Sequence, residues 1–91
     1  MADREYGWTD AGKASAARHG VTEREAVEAL YSPQRIENHV GSLLLAVAGL
    51  ADTARVIVVL CERASKVNSY AILAARPATP EEIKLWMEGT R

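Results

Sequence analysis

Val56-Ile57-Val58-Val59-Leu60-Cys61 is a run of six apolar residues, the first four of them β-branched. Such a run packs better on a pleated surface than in a helix, and its lack of polar alternation suits a central strand covered on both faces. Helices are therefore expected to flank a sheet. Turn-prone residues at Gly41-Ser42, Ala51-Asp52 and positions 64–66 divide the surrounding chain into four strands, roughly 35–40, 43–50, 54–62 and 67–75. Their short connections predict an antiparallel meander.

Helical signals lie on either side of the strands. Thr9 is placed to cap a helix over 10–19, with Gly20 free to take the left-handed position that ends it. Thr22 and Glu25 form a T-x-x-E capping box, Val21 is placed to staple the second helix through Ala26, and Pro33 ends it. Thr79-Pro80-Glu81-Glu82 supplies a cap, a proline at the first helical position and a glutamate at the third. Ile83, Trp86 and Met87 follow at helical spacing, predicting a last helix over 80–88. Trp86 and Met87 read as core, although both residue types also suit a partner groove.

Composition bounds what such a chain can do. Ninety-one residues, 48% hydrophobic and 25% charged, suit one domain over 1–91 with a packed core. With no Phe, that core must be aliphatic. Cys61 is the single cysteine, so no internal disulfide forms and a reducing, cytoplasmic setting is expected. The opening MADREYGW lacks the basic and apolar regions of a signal peptide, and the most apolar stretch, 43–51, is far below the roughly 20 residues of a membrane-spanning helix. The net charge of −1 argues against a generic nucleic-acid binder; local cationic patches still allow an enzyme that reads RNA.

Three local motifs resemble the BrnT family of ribonuclease toxins, relatives of the RelE toxins. Tyr6-Gly7-Trp8-Thr9-Asp10 is similar to the family's opening aromatic-x-Trp-Asp strand. Arg18-His19-Gly20-Val21 stands where the family has Lys-His-Gly-Val, with Glu25-Ala26 at the matching distance. Ala75-Arg76-Pro77-Ala78-Thr79, followed by Glu82 and Trp86, resembles the Ala-Arg-Arg-Ala-Thr segment before the last helix. The resemblance implies an α+β, RelE-like fold: two N-terminal helices, a four-stranded antiparallel meander and a C-terminal helix. It further implies metal-independent RNA cleavage that arrests translation, no cofactor, and a cognate antitoxin protein covering the active surface. Two cations of the pattern are absent. An Arg common five residues before the Ala-Arg arginine is Ala71 here, and the second Arg of the motif is Pro77.

Cleaving RNA without metal needs a base, an acid and cations around the phosphorane. His19 is a candidate acid or base, and the simpler account makes it a helix C-cap histidine. His39 is chemically equal to the task and otherwise an exposed strand-end residue. Arg76, just before a helix N-terminus, can hold a phosphate or pair with Glu81 or Glu82. Arg55, Arg63 and Lys66 can add phosphate contacts at a sheet rim or remain solvated strand ends, and Glu62 beside Arg63 can serve as a base or as a surface carboxylate. No Gly-rich phosphate loop, Cys/His cluster or Ser-His-Asp spacing is present, so no metal or cofactor is expected.

Two functions compete on these residues. One is a toxin of a type II toxin–antitoxin system, a ribonuclease with Arg76 and a histidine on one concave sheet face. The other is a catalytically weak or inactive interaction module of the same fold that binds a small partner protein. Either is expected to be a monomer or weak homodimer when alone.

Overall fold

The computed structural model describes residues 4–51 and 53–89. The elements run β1 (Glu5–Trp8), α1 (Asp10–Arg18), α2 (Glu23–Tyr31), β2 (Ile36–Val40), β3 (Leu43–Gly49), β4 (Val56–Arg63), β5 (Ser69–Pro77) and α3 (Pro80–Gly89). The architecture is α+β. The predicted caps form: the Thr9 hydroxyl accepts from the Gly12 amide, and Thr22 and Glu25 close their capping box on each other. Gly20, at φ +68°, makes the left-handed turn between the helices.

The sheet has five strands in the order β1-β5-β4-β3-β2. It is mixed, which corrects the expected four-stranded antiparallel sheet. β2 to β5 pair antiparallel in sequence order, and β1 adds itself parallel to β5, Gly7 opposite Ala71 and Trp8 opposite Ile72. A four-residue strand is too short to announce its partner through periodicity, because its pairing is fixed by contacts more than 60 residues away. Strand boundaries shift as well. β4 starts at Val56 rather than 54 because Ala54 takes a left-handed φ of +57° in the turn, and β5 starts after Asn68, at φ +61°. The expected turn residue Asp52 lies outside the described residues.

The main core lies between the sheet and the helices α1 and α2. Ala16, Val21, Ala26, Ala29 and Leu30 pack on Leu44, Ala46, Ala48, Ile57, Val59, Cys61 and Ile72. The alanines on both sides let the layers approach closely, and α1 comes closest to β5. A Cβ at Gly12 would overlap the Ile72 carbonyl. The Ser15 hydroxyl donates to the Ala75 carbonyl and accepts from the Ala75 amide, at 3.4 and 3.3 Å. Ser15 thereby serves the part of β5 that β1 is too short to pair.

Helix α3 lies on the opposite face, over β3. Trp86 sits on Gly49, where any side chain would collide with the indole, and donates its Nε1–H to the Gln34 carbonyl at 3.1 Å. None of α3's residues is fully buried. The helix covers one end of its face and leaves the rest open.

Candidate functional site

One irregularity decides which side chains share the open face. Cys61 pairs with Ile72 and Leu60 with Ala74, so Leu73 is an extra residue on β5. In a regular strand, positions five apart point to opposite faces. Here the bulge restores the match: Ala71 lies opposite Glu62 and Arg76 opposite Val58, two β4 residues four apart that share the face away from α1 and α2. Positions 71 and 76 thus share one surface, about 13 Å apart along the strand with Ala74 between them.

Arg76 is occupied there. Its two terminal nitrogens donate to the two carboxylate oxygens of Glu82, at 2.7 and 2.9 Å, a bidentate pair. Glu82 also accepts the Thr79 amide proton at 2.8 Å, and its own amide donates to the Thr79 hydroxyl. The same carboxylate therefore closes the capping box of α3 and holds the guanidinium. Arg76, with the hydrogen bond from the Thr79 amide, keeps Glu82 well below the usual carboxylate range, at about 2. Of the two expected pairings, the structure has Glu82.

The remaining candidates are scattered. His19 caps α1 on the helix side of the sheet, Nδ1 2.9 Å from the Ser15 carbonyl; it does not share a face with Arg76. Arg55 is turned to the same side, donating to Glu25 and to the Gly20 carbonyl at 3.2 and 3.0 Å, so it locks the β3–β4 turn to the start of α2. Arg63 lies opposite Tyr70 and Glu62 opposite Ala71, on different faces although adjacent in sequence. Lys66 pairs with Glu5 at 3.3 Å in full solvent. The expected concave face carrying Arg76 together with a histidine is not formed.

His39 stands elsewhere, in a cluster that strand pairing and chain curvature assemble on the helix side. Glu37, only 16% exposed at its side chain, receives Arg4 at 2.6 Å, Arg35 at 2.5 Å and His39 at 3.1 Å. Arg4 precedes β1 and Glu37 lies on β2, the two edges of the sheet. Four strand spacings amount to about 19 Å in a flat sheet, so the sheet curls strongly at this end. Tyr6 stacks on Tyr70 and meets Tyr31 edge-on, at 5.8 and 5.4 Å. Arg4 lies over the Tyr70 ring at 5.5 Å, and the Tyr31 hydroxyl donates to the Arg4 carbonyl at 3.0 Å. The three donors outweigh the cost of burying the Glu37 carboxylate and hold it at about 2. Part of this cluster was visible as Arg35-x-Glu37-x-His39, whose period of two puts all three on one strand face. Arg4 carried no such signal.

The open face itself is aliphatic. Leu45, Val47, Leu60 and Ala74 are half-buried and Leu43 is 37% exposed. A groove of about 530 Å³ runs between the sheet and α3, lined by Ile36, Asn38, Leu45, Val47, Leu85 and Trp86 among others. Among the described residues no group of His, Cys, Asp and Glu could hold a metal ion, and no helix is long and apolar enough to cross a membrane. No known family model matches this chain, and no curated protein matches it significantly.

Proposed function

We propose that this chain is a RelE-like interaction module, the partner-binding half of a toxin–antitoxin type of pair, in which RNA cleavage is weak or lost. The observation that carries the reading is the state of the open face. Among the described residues its one guanidinium, Arg76, is neutralised by Glu82, position 71 on the same face is Ala71, and the surface between them is aliphatic. A phosphorane needs unpaired, preorganised donors, whereas a protein partner needs a desolvated apolar patch with a polar rim. The face matches the second description. Its rim is acidic, with Glu62 and Glu81 exposed and making no ion pair among the described residues. The partner is accordingly a small protein that lays an amphipathic segment, apolar in the middle and flanked by Lys or Arg, into the groove beside α3. The resemblance to the BrnT family makes a cognate antitoxin the natural candidate.

The ribonuclease reading keeps one observation in its favour: the bulge at Leu73 brings positions 71 and 76 to one face, as a cation pair acting on one phosphate would require. Induced expression in bacteria separates the two. Harmless accumulation with intact messenger RNA supports the module. Growth arrest with loss of messenger RNA overturns it in favour of the toxin.

A further inference from the structure

We infer that Arg4, Arg35 and His39, gathered round Glu37, form a binding site for a phosphate group. The site lies on the helix side of the sheet and is independent of the partner surface proposed above. The cluster holds more cations than a structural clasp requires. Fastening the two sheet edges together needs one cation on one carboxylate, and the Arg4–Glu37 pair at 2.6 Å already does that. Arg35 and His39 converge on the same carboxylate without adding any link between strands, since Arg35 immediately precedes β2 and His39 lies on it. Two guanidinium groups against one carboxylate leave one net positive charge before the imidazole is counted, in a chain whose overall charge is −1. Local excess of this kind attracts anions.

The cluster is also preorganised. Glu37 takes donors on both of its oxygens, which fixes the three side chains without using all of their nitrogens. Arg35 uses Nε on Glu37 and one terminal nitrogen on the Ser32 carbonyl at 2.8 Å, so its other terminal nitrogen has no partner among the described residues. His39 uses Nε2, and its Nδ1, a donor in the imidazolium form, has none among the described residues. Arg4 is held against the Tyr70 ring. The cluster is partly open to solvent, with side-chain exposures of 29%, 28% and 44% for Arg4, Arg35 and His39. Two guanidinium forks and an imidazole gathered at one place offer more donors than the two oxygens of one carboxylate take up, and a phosphate has acceptor oxygens for the rest.

The test titrates the whole chain with inorganic phosphate, following the His39 ring protons by NMR and the heat by calorimetry, with chloride at equal ionic strength as reference. Saturable shifts at millimolar phosphate and none with chloride are expected. Arg35→Gln leaves the Arg4–Glu37 clasp in place, so its thermal midpoint should stay near that of wild type while phosphate binding weakens tenfold or more. His39→Gln, which can still donate to Glu37, should also weaken binding and guards against a folding artefact in the arginine variant. A short single-stranded RNA that binds tighter than phosphate identifies a nucleotide phosphate as the ligand; equal or weaker binding identifies free phosphate. Absence of a saturable shift, an equal response to chloride, or binding unchanged in both variants overturns the inference.

Discussion

Ala71 and Arg76 face the same side of the sheet, although they are five positions apart on one strand, because Leu73 is inserted between them as a bulge. An arginine introduced at position 71 would therefore share the face of Arg76, about 13 Å along the strand. Wild-type protein is expected to cleave a structured messenger RNA slowly or not at all in the absence of divalent metal. Ala71→Arg combined with Glu82→Gln supplies one guanidinium and releases another, and should raise the rate toward 10²-fold if the face retains an RNA groove. Gel assays of wild type, Arg76→Ala and the double variant check this. Strong wild-type cleavage insensitive to Arg76→Ala would place any nuclease site away from this face.

Two carboxylates make folding stability depend on acid. Glu37 and Glu82 are both held at about 2, against an ordinary value of 4.5. A carboxylate depressed in the folded state binds its proton more readily when unfolded, so its contribution is fully present above about pH 4.5 and is lost as the pH falls toward 2. Both groups are partly solvated, so each contributes on the order of 1 kcal/mol or somewhat more after screening. Thermal melts between pH 6 and 2 should fall steeply in this window, and Glu37→Gln should flatten the fall more than a surface control such as Glu23→Gln.

Close packing of α1 on β5 makes two small side chains intolerant of change. Gly12→Ala drives a methyl group into the backbone carbonyl of Ile72, which cannot move without breaking the β1–β5 pairing, and should cost on the order of 3 kcal/mol. Ser15→Ala leaves the Ala75 amide and carbonyl buried without their partner, a loss of about 1–3 kcal/mol. Urea denaturation measures both. A Gly12→Ala protein as stable as wild type would show that α1 sits further from the sheet.

Helix α3 should open independently of the rest. It buries no residue completely and rests on the sheet chiefly through Trp86 over Gly49. Gly49→Ala is expected to expose the indole, shift its fluorescence to longer wavelength and speed hydrogen exchange over 80–89, while β4 keeps its protection. Uniform loss of protection would indicate that α3 belongs to the main cooperative unit.

The Cys61 thiol is fully buried and burial pushes it up to about 12. Native protein should fail to react with a disulfide reagent at neutral pH and react fully once unfolded. Rapid labelling of the folded chain would contradict this packing.

The sequence by itself determined the local elements. Capping pairs at Thr22–Glu25 and Thr79–Glu82, the left-handed Gly20 and the β-branched run 56–61 act over a few residues, so their outcome is written in neighbouring positions. Only the tertiary structure decided what those elements bring together. That β1 pairs with β5, that Leu73 bulges, that α3 crosses to the far face and that Arg4 reaches Glu37 are settled by long-range contacts and sheet curvature, which leave no periodic mark on the chain. The candidate site followed the same division. Arg76 and His39 were recognisable as chemistry, but whether a guanidinium is free or spent, and which histidine it faces, depends on a register that one inserted residue is enough to reverse.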